Sequence, residues 1–432
     1  YEEYLQPKSC TGLYEPLRLG LIPPIQDLYR ADQQSSRIDP WAGVAAREIG
    51  DVHGILFSHA HLDHIGSLHF VREDIPIYAS SMTLTIAKCT QDTGGRDQNC
   101  YTHAFEEMDS GEIKSIHHAS NPSRSRPYVL TGENPTDQLI EFWNTTPGSL
   151  SQKGRKHVTG ELAVRDECGG LRVIRYPVDH SIYGAGAWAV ETGAGWVVYT
   201  GDLRCHGGAR DKTWEFADKV SVLKPKVLII EGTRIRHDDT STEEQVRDNA
   251  LEVVKQAEGL VVADFGPRNI ERLRSFLEIA KATGRQLLLT QKDAYLIDKM
   301  RIVDPSIPPL SDPAIGIYYT FETAAQNWKK LIREEHQGKF VYPWDVAQNQ
   351  REMIACFSLF DANELPYIRP VEGSVWIYSS CEPFSEEMQI DYRRLGNWLD
   401  EFSLSFPSGY DDENSRFHVS GHACRPHLRE IV

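Results

Sequence analysis

The chain has 432 residues, 40% hydrophobic and 25% charged, so it is long enough for two or three domains of usual size. Its formal net charge of −16 argues against a uniformly basic surface that binds nucleic acid indiscriminately. No apolar run approaches the ~20 residues that cross a bilayer, and the first residues do not resemble a signal peptide, so we expect no membrane partner. Eight scattered cysteines without a Cys-x-x-Cys pair favour reduced thiols and a cytoplasmic location.

The first hundred residues contain two predicted strands. Residues 1–50 are rich in proline, glycine and polar residues and predict loops with short helices. Strands are predicted at Gly54–Ser58 and Ile75–Ala79, because both are short apolar runs bounded by polar residues. From Gly94 to Lys156 the pattern becomes weak, which predicts an inserted segment or a mobile loop.

Three histidines and an aspartate stand within six positions directly after the first predicted strand, in the order His59, His61, Asp63, His64. In an extended segment His59 and His61 point the same way, since side chains repeat every second residue. Asp63 and His64 follow where a helical pattern of Ile65, Leu68 and Val71 begins. Two imidazoles facing one ion and a carboxylate with a third imidazole facing its neighbour suit a pair of divalent ions, most simply zinc, with manganese as the alternative. The competing interpretation is a polar loop that happens to be rich in histidine.

Further strands each end at a polar residue. They are predicted at Leu171–Tyr176, Ala187–Glu191, Trp196–Thr200 and Val227–Ile230. His180, Asp202 and Glu231 come soon after these strands, at the kind of sheet edge where binding residues concentrate. His180 is a candidate metal ligand, and Asp202, after the flexible Gly201, is a candidate bridge between two ions. A lone histidine is more often structural or exposed, but the position of His180 after a strand favours a ligand role. The competing interpretation of Asp202 is a turn aspartate.

A second α/β unit is predicted from about Thr240. Ser241-Thr242-Glu243-Glu244 is typical of a helix N-terminus. Strands are then predicted at Leu260–Phe265, Gln286–Thr290 and Val375–Ser379, and helices at Ile270–Ala282, Ala294–Met300 and Ser385–Asp400. This alternation predicts a parallel sheet with helices on its faces. Asp304–Asp312 is predicted to be irregular, and Ser405–Ser415 a polar linker.

These motifs together resemble a known family. His59-x-His61-x-Asp63-His64, His180 and Asp202 resemble metal motifs of the metallo-β-lactamase-fold hydrolases. Ile229-Ile230-Glu231-Gly232-Thr233 resembles motif A of the β-CASP nuclease branch, which includes RNase J and the pre-mRNA 3′-end processing endonuclease. The segment from Phe265 to Leu273 resembles part of the β-CASP domain, and Val419-Ser420-Gly421-His422-Ala423 resembles its motif B.

The resemblance implies a fold and a domain order. The fold is an α/β metallo-β-lactamase αββα sandwich with an inserted β-CASP domain, whose parallel sheet is flanked by helices. Residues 1–238 would form the metallo-β-lactamase domain, 239–407 the β-CASP domain, and 408–432 the return to the first domain. The chain opens in what resembles the segment just beyond the family's first strands. No motif C histidine is found before Val432, so we expect either a fragment or a second metal site that lacks one ligand.

The resemblance also implies a reaction. Metal ligands would be His59, His61, Asp63, His64, His180 and Asp202, with Asp63, Glu231 and His422 taking part in catalysis. Two zinc ions would activate a hydroxide that hydrolyses RNA to 5′-phosphate and 3′-hydroxyl ends. His422 would donate a proton to the leaving oxygen while Glu231 orients its ring.

Substrate contacts and rival functions complete these expectations. Ser379, Ser380, Ser420 and Gly421 are predicted to contact phosphate oxygens. RNA is favoured over DNA as the partner, and a homo-oligomer is an open alternative. The rival functions are a small-molecule hydrolase acting on a thioester, lactone or lactam, and a non-catalytic scaffold subunit.

Overall fold

The computed structural model describes residues 7–94, 99–116, 122–150, 156–238, 241–266, 268–381, 383, 385–408 and 416–432. The chain forms two compact units. The first comprises Tyr1–Tyr176, Gly186–Gly201 and Leu223–Ile229, and the second comprises Pro177–Ala185, Asp202–Val222 and Ile230–Val432. The domain boundaries predicted after residues 238 and 407 both fall inside the second unit, so the predicted division stays a prediction.

The first unit is built from short strands and a few helices. In chain order these are α1 (Tyr14–Arg18), β1 (Ile55–Leu56), α2 (Leu62–Ile65), β2 (Ile77–Ala79), α3 (Ser81–Gly94), β3 (Tyr101–Thr102), β4 (Phe105–Glu107), β5 (Ile113–Ser115), β6 (Ser123–Ser125), β7 (Tyr128–Leu130), α4 (Asp137–Trp143), β8 (His157–Val158), β9 (Leu162–Val164), β10 (Glu167–Cys168), β11 (Leu171–Pro177), β12 (Gly186–Thr192), β13 (Gly195–Tyr199) and β14 (Val227–Ile229).

Two sheets dominate this unit. One has the strand order β1-β2-β7-β9 with parallel pairing throughout, and the other has the order β10-β11-β12-β13-β14. Tyr78 and Val129 of the first sheet share a buried apolar cluster with Val173 and Trp188 of the second. The Trp188 indole N–H also donates a 2.8 Å hydrogen bond to the Phe57 carbonyl. These contacts fix the end of β1, from which the histidine motif emerges.

The segment from residue 94 to residue 156, predicted to be an insertion or a mobile loop, contains regular secondary structure. Its described part contains β3 to β7 and α4, and β7 is an inner strand of the first sheet. Tyr128, Val129 and Leu130 are at most 1% exposed. The strands here are only two or three residues long, which is too short for side-chain alternation to reveal them. Residues 95–98, 117–121 and 151–155 of this segment lie outside the described residues.

The second unit contains a long alternation of helices and strands. In chain order these are α5 (Arg210–Leu223), α6 (Glu243–Gln256), β15 (Val261–Asp264), α7 (Ile270–Thr283), β16 (Gln286–Leu289), α8 (Gln291–Met300), β17 (Ile315–Tyr318), α9 (Asn327–Glu335), β18 (Phe340–Val341), α10 (Pro343–Gln348), β19 (Met353–Ala355), α11 (Leu365–Ile368), β20 (Val375–Tyr378), α12 (Glu386–Glu401) and α13 (Arg425–Ile431).

Six of these strands form one sheet in the order β18-β17-β16-β19-β15-β20, and every pair is parallel. The predicted α/β class and parallel sheet are therefore confirmed. The predicted start of α6 is also present, because Thr242 and Gln245 cap each other's backbone. Part of the predicted linker, residues 409–415, lies outside the described residues, as does Pro267 of the β-CASP-like segment. Among the described residues, none of the helices has both the length and the apolar character that crossing a bilayer requires.

Candidate metal centre

The histidine motif forms a compact group in the first unit. His61 is the extended residue before α2, with φ −73° and ψ 148°, and Asp63 and His64 lie within that helix. The rings of His61 and His64 lie 4.8 Å and 4.1 Å from the His59 ring. His59 is fully buried, and its Nδ1 is 3.1 Å from the Ser58 hydroxyl. Three imidazoles thus lie next to one another, and donor atoms of His59 and His61 lie within 4.8 Å of each other, as ligands of one ion would.

Asp63 occupies a different environment from His59. Its side chain is 78% exposed, and one carboxylate oxygen lies 3.4 Å from Nε2 of His64. The helical pattern predicted beyond it is interrupted, because α2 ends at Ile65 and only a 3₁₀ turn, Leu68–Phe70, follows. The short helix therefore presents Asp63 and His64 side by side at its first turn. A carboxylate next to an imidazole at an open surface suits a second ion that meets solvent and substrate.

In the second unit, His180 and Asp202 face each other. His180 Nε2 lies 3.9 Å from an Asp202 carboxylate oxygen, and both side chains are largely buried. His180 Nδ1 is 2.6 Å from the Gly421 carbonyl. A neutral ring that donates from Nδ1 turns the lone pair of Nε2 toward the carboxylate. Two electron-rich groups so arranged suit a shared cation, and a carbonyl acceptor on the other ring nitrogen is the usual support of a metal-binding histidine.

Glu231 and His422 form a second pair close to Asp202. His422 Nδ1 is 3.0 Å from one Glu231 oxygen, and the other Glu231 oxygen accepts a 2.7 Å hydrogen bond from the Leu203 backbone N–H. One donor atom from each of Asp202, Glu231 and His422 lies within 4.8 Å of the others. Both Glu231 oxygens thus lie at hydrogen-bond distance from a nitrogen atom, an arrangement in which Glu231 can orient the His422 imidazole. His422 and His180 are neighbours, with ring centroids 5.2 Å apart.

Gly421 allows the close approach of these loops. A Cβ at this position would lie 2.6 Å from the Ser181 hydroxyl and 3.0 Å from Cε1 of His180. Real Cβ atoms do not approach so closely, so a larger residue would push the motif B loop away from His180. The residue thus has a packing role, in addition to the phosphate contact that the sequence predicted.

Behind His180 and Asp202 lies a buried network of charges that the sequence analysis missed. Arg204 is 0% exposed and contacts Asp179 at 3.1 Å, Glu243 at 3.3 Å and Glu271 at 2.8 Å. Burial lowers the pKa of Arg204, but the three carboxylates outweigh this effect and raise it. For Asp179, desolvation by burial outweighs the attraction of Arg204 and raises the pKa to about 6. The network joins the loops of the candidate ligands to the first turns of α6 and α7.

Ser379 and Ser380, the two predicted substrate contacts that follow β20, both make hydrogen bonds within the protein. Ser379 is 3% exposed, and its hydroxyl donates a 2.6 Å hydrogen bond to the Phe417 carbonyl while Arg272 contacts the same hydroxyl. Protein groups therefore already contact this hydroxyl, and the substrate contact predicted at Ser379 stays a prediction. Ser380, which is partly buried, lies 3.1 Å from an Asp264 carboxylate oxygen.

Ser420 also serves the loop that carries His422. Its hydroxyl accepts a 3.2 Å hydrogen bond from the His422 backbone N–H, and its carbonyl lies 3.0 Å from Nε2 of His206. Desolvation and the nearby Arg204 lower the pKa of His206 to about 4, so this ring is neutral and donates to the carbonyl. The motif B loop is thereby held at both Ser420 and Gly421.

Comparison with known proteins agrees with the motifs. Residues 21–136 match a family described as a beta-lactamase superfamily domain. Ribonuclease J of Mycolicibacterium smegmatis is 22% identical over 55% of this chain and 34% of its own length. Ribonuclease J of Pyrococcus abyssi is 26% identical over 54% of this chain and 42% of its own length. Ribonuclease J of Sinorhizobium meliloti is 25% identical over 89% of this chain and 56% of its own length.

A crystal structure gives the same result for the fold. A protein of unknown function from Enterococcus faecalis V583 superposes on 100% of this chain and 83% of its own, with a TM-score of 0.64 and 20% identity. The chain spans between a third and just over half the length of the three ribonucleases described above. The motifs, the fold and the relatives agree, and this chain resembles metallo-β-lactamase-fold hydrolases of the β-CASP nuclease family, close to RNase J.

Proposed function

We propose that this chain hydrolyses phosphodiester bonds in RNA at a site holding two divalent metal ions, and that it leaves 5′-phosphate and 3′-hydroxyl ends. The observation that carries the proposal is the Glu231–His422 pair, with its 3.0 Å contact, next to a histidine and an aspartate of ligand type. An imidazole held in this way beside the metal ligands can act as a general acid. A nuclease needs it to protonate the leaving 3′ oxygen.

The ligand set that we propose comprises His59, His61, Asp63, His64, His180 and Asp202. Imidazole nitrogens and carboxylate oxygens of this kind suit zinc, with manganese as the alternative. Bound divalent ions lower the pKa of water to near neutrality and neutralise charge on phosphate oxygens. The 2.6 Å contact between His180 Nδ1 and the Gly421 carbonyl would keep Nε2 directed to its ion.

The protein's own groups would then handle the proton and the leaving group. Glu231 is 5% exposed at its side chain, and its carboxylate would hold the His422 ring in one orientation. His422 is 26% exposed at its side chain, which leaves its far edge open to a substrate. A protonated His422 would transfer its Nε2 proton to the departing 3′ oxygen, while the held Gly421 loop keeps the ring in place.

RNA is the proposed substrate because the relatives of this chain are ribonucleases. A test compares a 5′-labelled RNA oligonucleotide, the matching DNA, nitrocefin and a thioester as substrates of the zinc-loaded protein. The proposal expects cleavage of RNA, with DNA cut more slowly. The two small substrates should remain unchanged.

Variants sharpen this test. His422→Ala should lower the turnover of RNA by about 10²–10⁴-fold, the range typical of a lost general acid. His237→Ala is the matched control, because it removes an exposed histidine of the same unit. Equal turnover for the two variants, or faster turnover of the thioester than of RNA, would reject the proposal.

A further inference from the structure

A group of aromatic side chains lies at one end of the parallel sheet of the second unit. Tyr319 and Phe321 follow β17, Tyr342 and Trp344 follow β18, and Tyr367 belongs to α11. We call these five residues the aromatic cluster. Phe321 is 47% exposed, Trp344 51% and Tyr367 55%. Single exposed aromatics are ordinary on protein surfaces, whereas several in mutual contact mark a binding surface.

The rings of the cluster contact each other in an ordered way. Tyr342 and Trp344 are stacked, with centroids 4.8 Å apart and planes inclined by 5°. Phe321 contacts Trp344 at 5.8 Å and Tyr367 at 5.5 Å, and Tyr319 contacts Tyr342 at 4.8 Å. Because each ring is braced by the next, little side-chain entropy remains to be lost when a ligand binds. The large exposed side chains of this cluster are all aromatic, which suits flat ligands better than a peptide helix that requires aliphatic anchors.

The cluster also carries positive charge at the sheet edge. The Arg333 guanidinium lies 4.3 Å from the centre of the Tyr319 ring. Arg333 is also paired with Glu322 at 2.7 Å, so its contribution is partly neutralised. Lys292 is exposed and lies in the first turn of α8, which follows β16, the neighbour of β17, so it lies on the same side of the sheet. Surfaces that bind single-stranded nucleic acid combine such groups, namely a guanidinium stacked on an aromatic ring and a lysine nearby.

The parallel topology connects the cluster to the His422 loop. All six strands run the same way, so the segments that follow them meet at one edge. Along this edge, the cluster follows β17 and β18 at one end of the strand order, and β20 stands at the other end. There Ser379, after β20, donates a hydrogen bond to the Phe417 carbonyl near motif B. Four strand spacings separate β20 from β17, which is about 19 Å. That distance is within the reach of the ~4–16 nucleotides that single-strand-binding domains contact.

We infer that the aromatic cluster is a stacking platform for the bases of an unpaired nucleic-acid segment. The identification of that strand as RNA rests on the function proposed above. With a net charge of −16, this chain attracts phosphates only weakly at long range. We therefore expect base stacking, rather than charge, to supply most of the binding free energy. Stacking on aromatic rings tolerates any sequence, because every base has a π-face.

The test measures binding separately from cleavage. The full chain carries His422→Ala so that bound RNA stays intact, and the ligand is a fluorescently labelled 15-nucleotide oligouridine followed by anisotropy. Trp344→Leu keeps an apolar side chain but removes the ring, and should weaken binding about tenfold, in the range measured for lost base stacking. Trp344→Phe should restore binding to within threefold. Val222→Ala, at an apolar residue of α5 that is 77% exposed, should leave binding unchanged.

Two further arms decide the interpretation. Blunt duplex RNA offers few open base faces, so Trp344→Leu should leave its binding unchanged. Equal loss for duplex and single strand, or no loss for either, would overturn the inference. If the parental chain, with His422 intact and metal loaded, does not cleave RNA while binding still depends on Trp344, the proposed hydrolysis is refuted and the platform is kept. If the parental chain cleaves RNA but replacing Trp344 or Phe321 does not change the affinity for RNA, only the platform is refuted.

Discussion

Replacing Arg204 by methionine would test the buried charge network most severely. The change keeps an unbranched side chain but removes the one cation that Asp179, Glu243 and Glu271 share. Glu243 would retain its 3.0 Å contact with Arg272, whereas Asp179, which is 1% exposed at its side chain, has no second cation among its ion pairs in the described residues. We therefore expect a large loss of stability rather than a local adjustment.

The size of the loss follows from burial. Removing one partner of a buried ion pair costs about 3–5 kcal/mol, because the other charge stays away from water. For a unit of this size, a loss of about 3 kcal/mol lowers the melting temperature by roughly 6–12 °C. The pKa of Asp179 is already raised to about 6 and would rise further without Arg204. Since a carboxyl with a raised pKa destabilises the fold only where it must ionise, the loss should be smaller at pH 5.5 than at pH 8.

The assay is urea unfolding followed by fluorescence at these two pH values. Arg247→Met is the matched control, because this arginine is 37% exposed at its side chain and pairs with Asp248 and Glu278 at the surface. Exposed pairs of this kind contribute less than about 1 kcal/mol. A loss below about 1 kcal/mol for Arg204→Met at pH 8, or a loss equal to that of the control, would refute the reasoning.

Three other predictions concern chemistry and pH. Glu231→Gln should reduce RNA turnover by less than His422→Ala, since the amide oxygen can still accept the Leu203 N–H and the imidazole itself remains. Single-turnover rates of both variants check this order. Removal of metal by a chelator should abolish RNA cleavage, and added zinc or manganese should restore it. Cleavage that persists in protein shown by metal analysis to be metal-free would contradict this prediction. Burial raises the pKa of Asp264 to about 7, above its unfolded value of ~3.9, so this residue makes the fold less stable as pH rises from about 4 to about 7. Asp264→Asn should flatten that slope in urea midpoints at pH 5.5 and 8, and an unchanged slope would show that Asp264 is ionised at low pH.

Some features of the fold were predictable from sequence because their signals are local. The Thr242–Gln245 capping pair lies within four residues, and strands such as β15 and β16 are continuous apolar runs followed by helices. The segment from 304 to 369 was harder to predict. It contains β17, β18 and β19, and β18 is only two residues long, so no periodicity marks it.

The candidate site shows the same division. The order His59, His61, Asp63, His64 is a local pattern, and its three imidazoles do lie together. The Arg204 network depends on pairing across as many as 67 positions, and no residue type or spacing signals that pairing. The one available hint was that charged residues stand within two positions of His180 and Asp202. The sequence likewise does not reveal that Arg272 and Phe417 contact the Ser379 hydroxyl.

Metal content per chain tests the central claim most directly. We predict about two zinc or manganese ions in the purified protein by mass spectrometry, with full occupancy kept by the control His237→Ala. His61→Ala and Asp202→Ala, changed one at a time, should each lose at least one ion and RNA cleavage with it. A folded Asp202→Ala protein that keeps both ions and cleaves RNA at the parental rate would contradict the account.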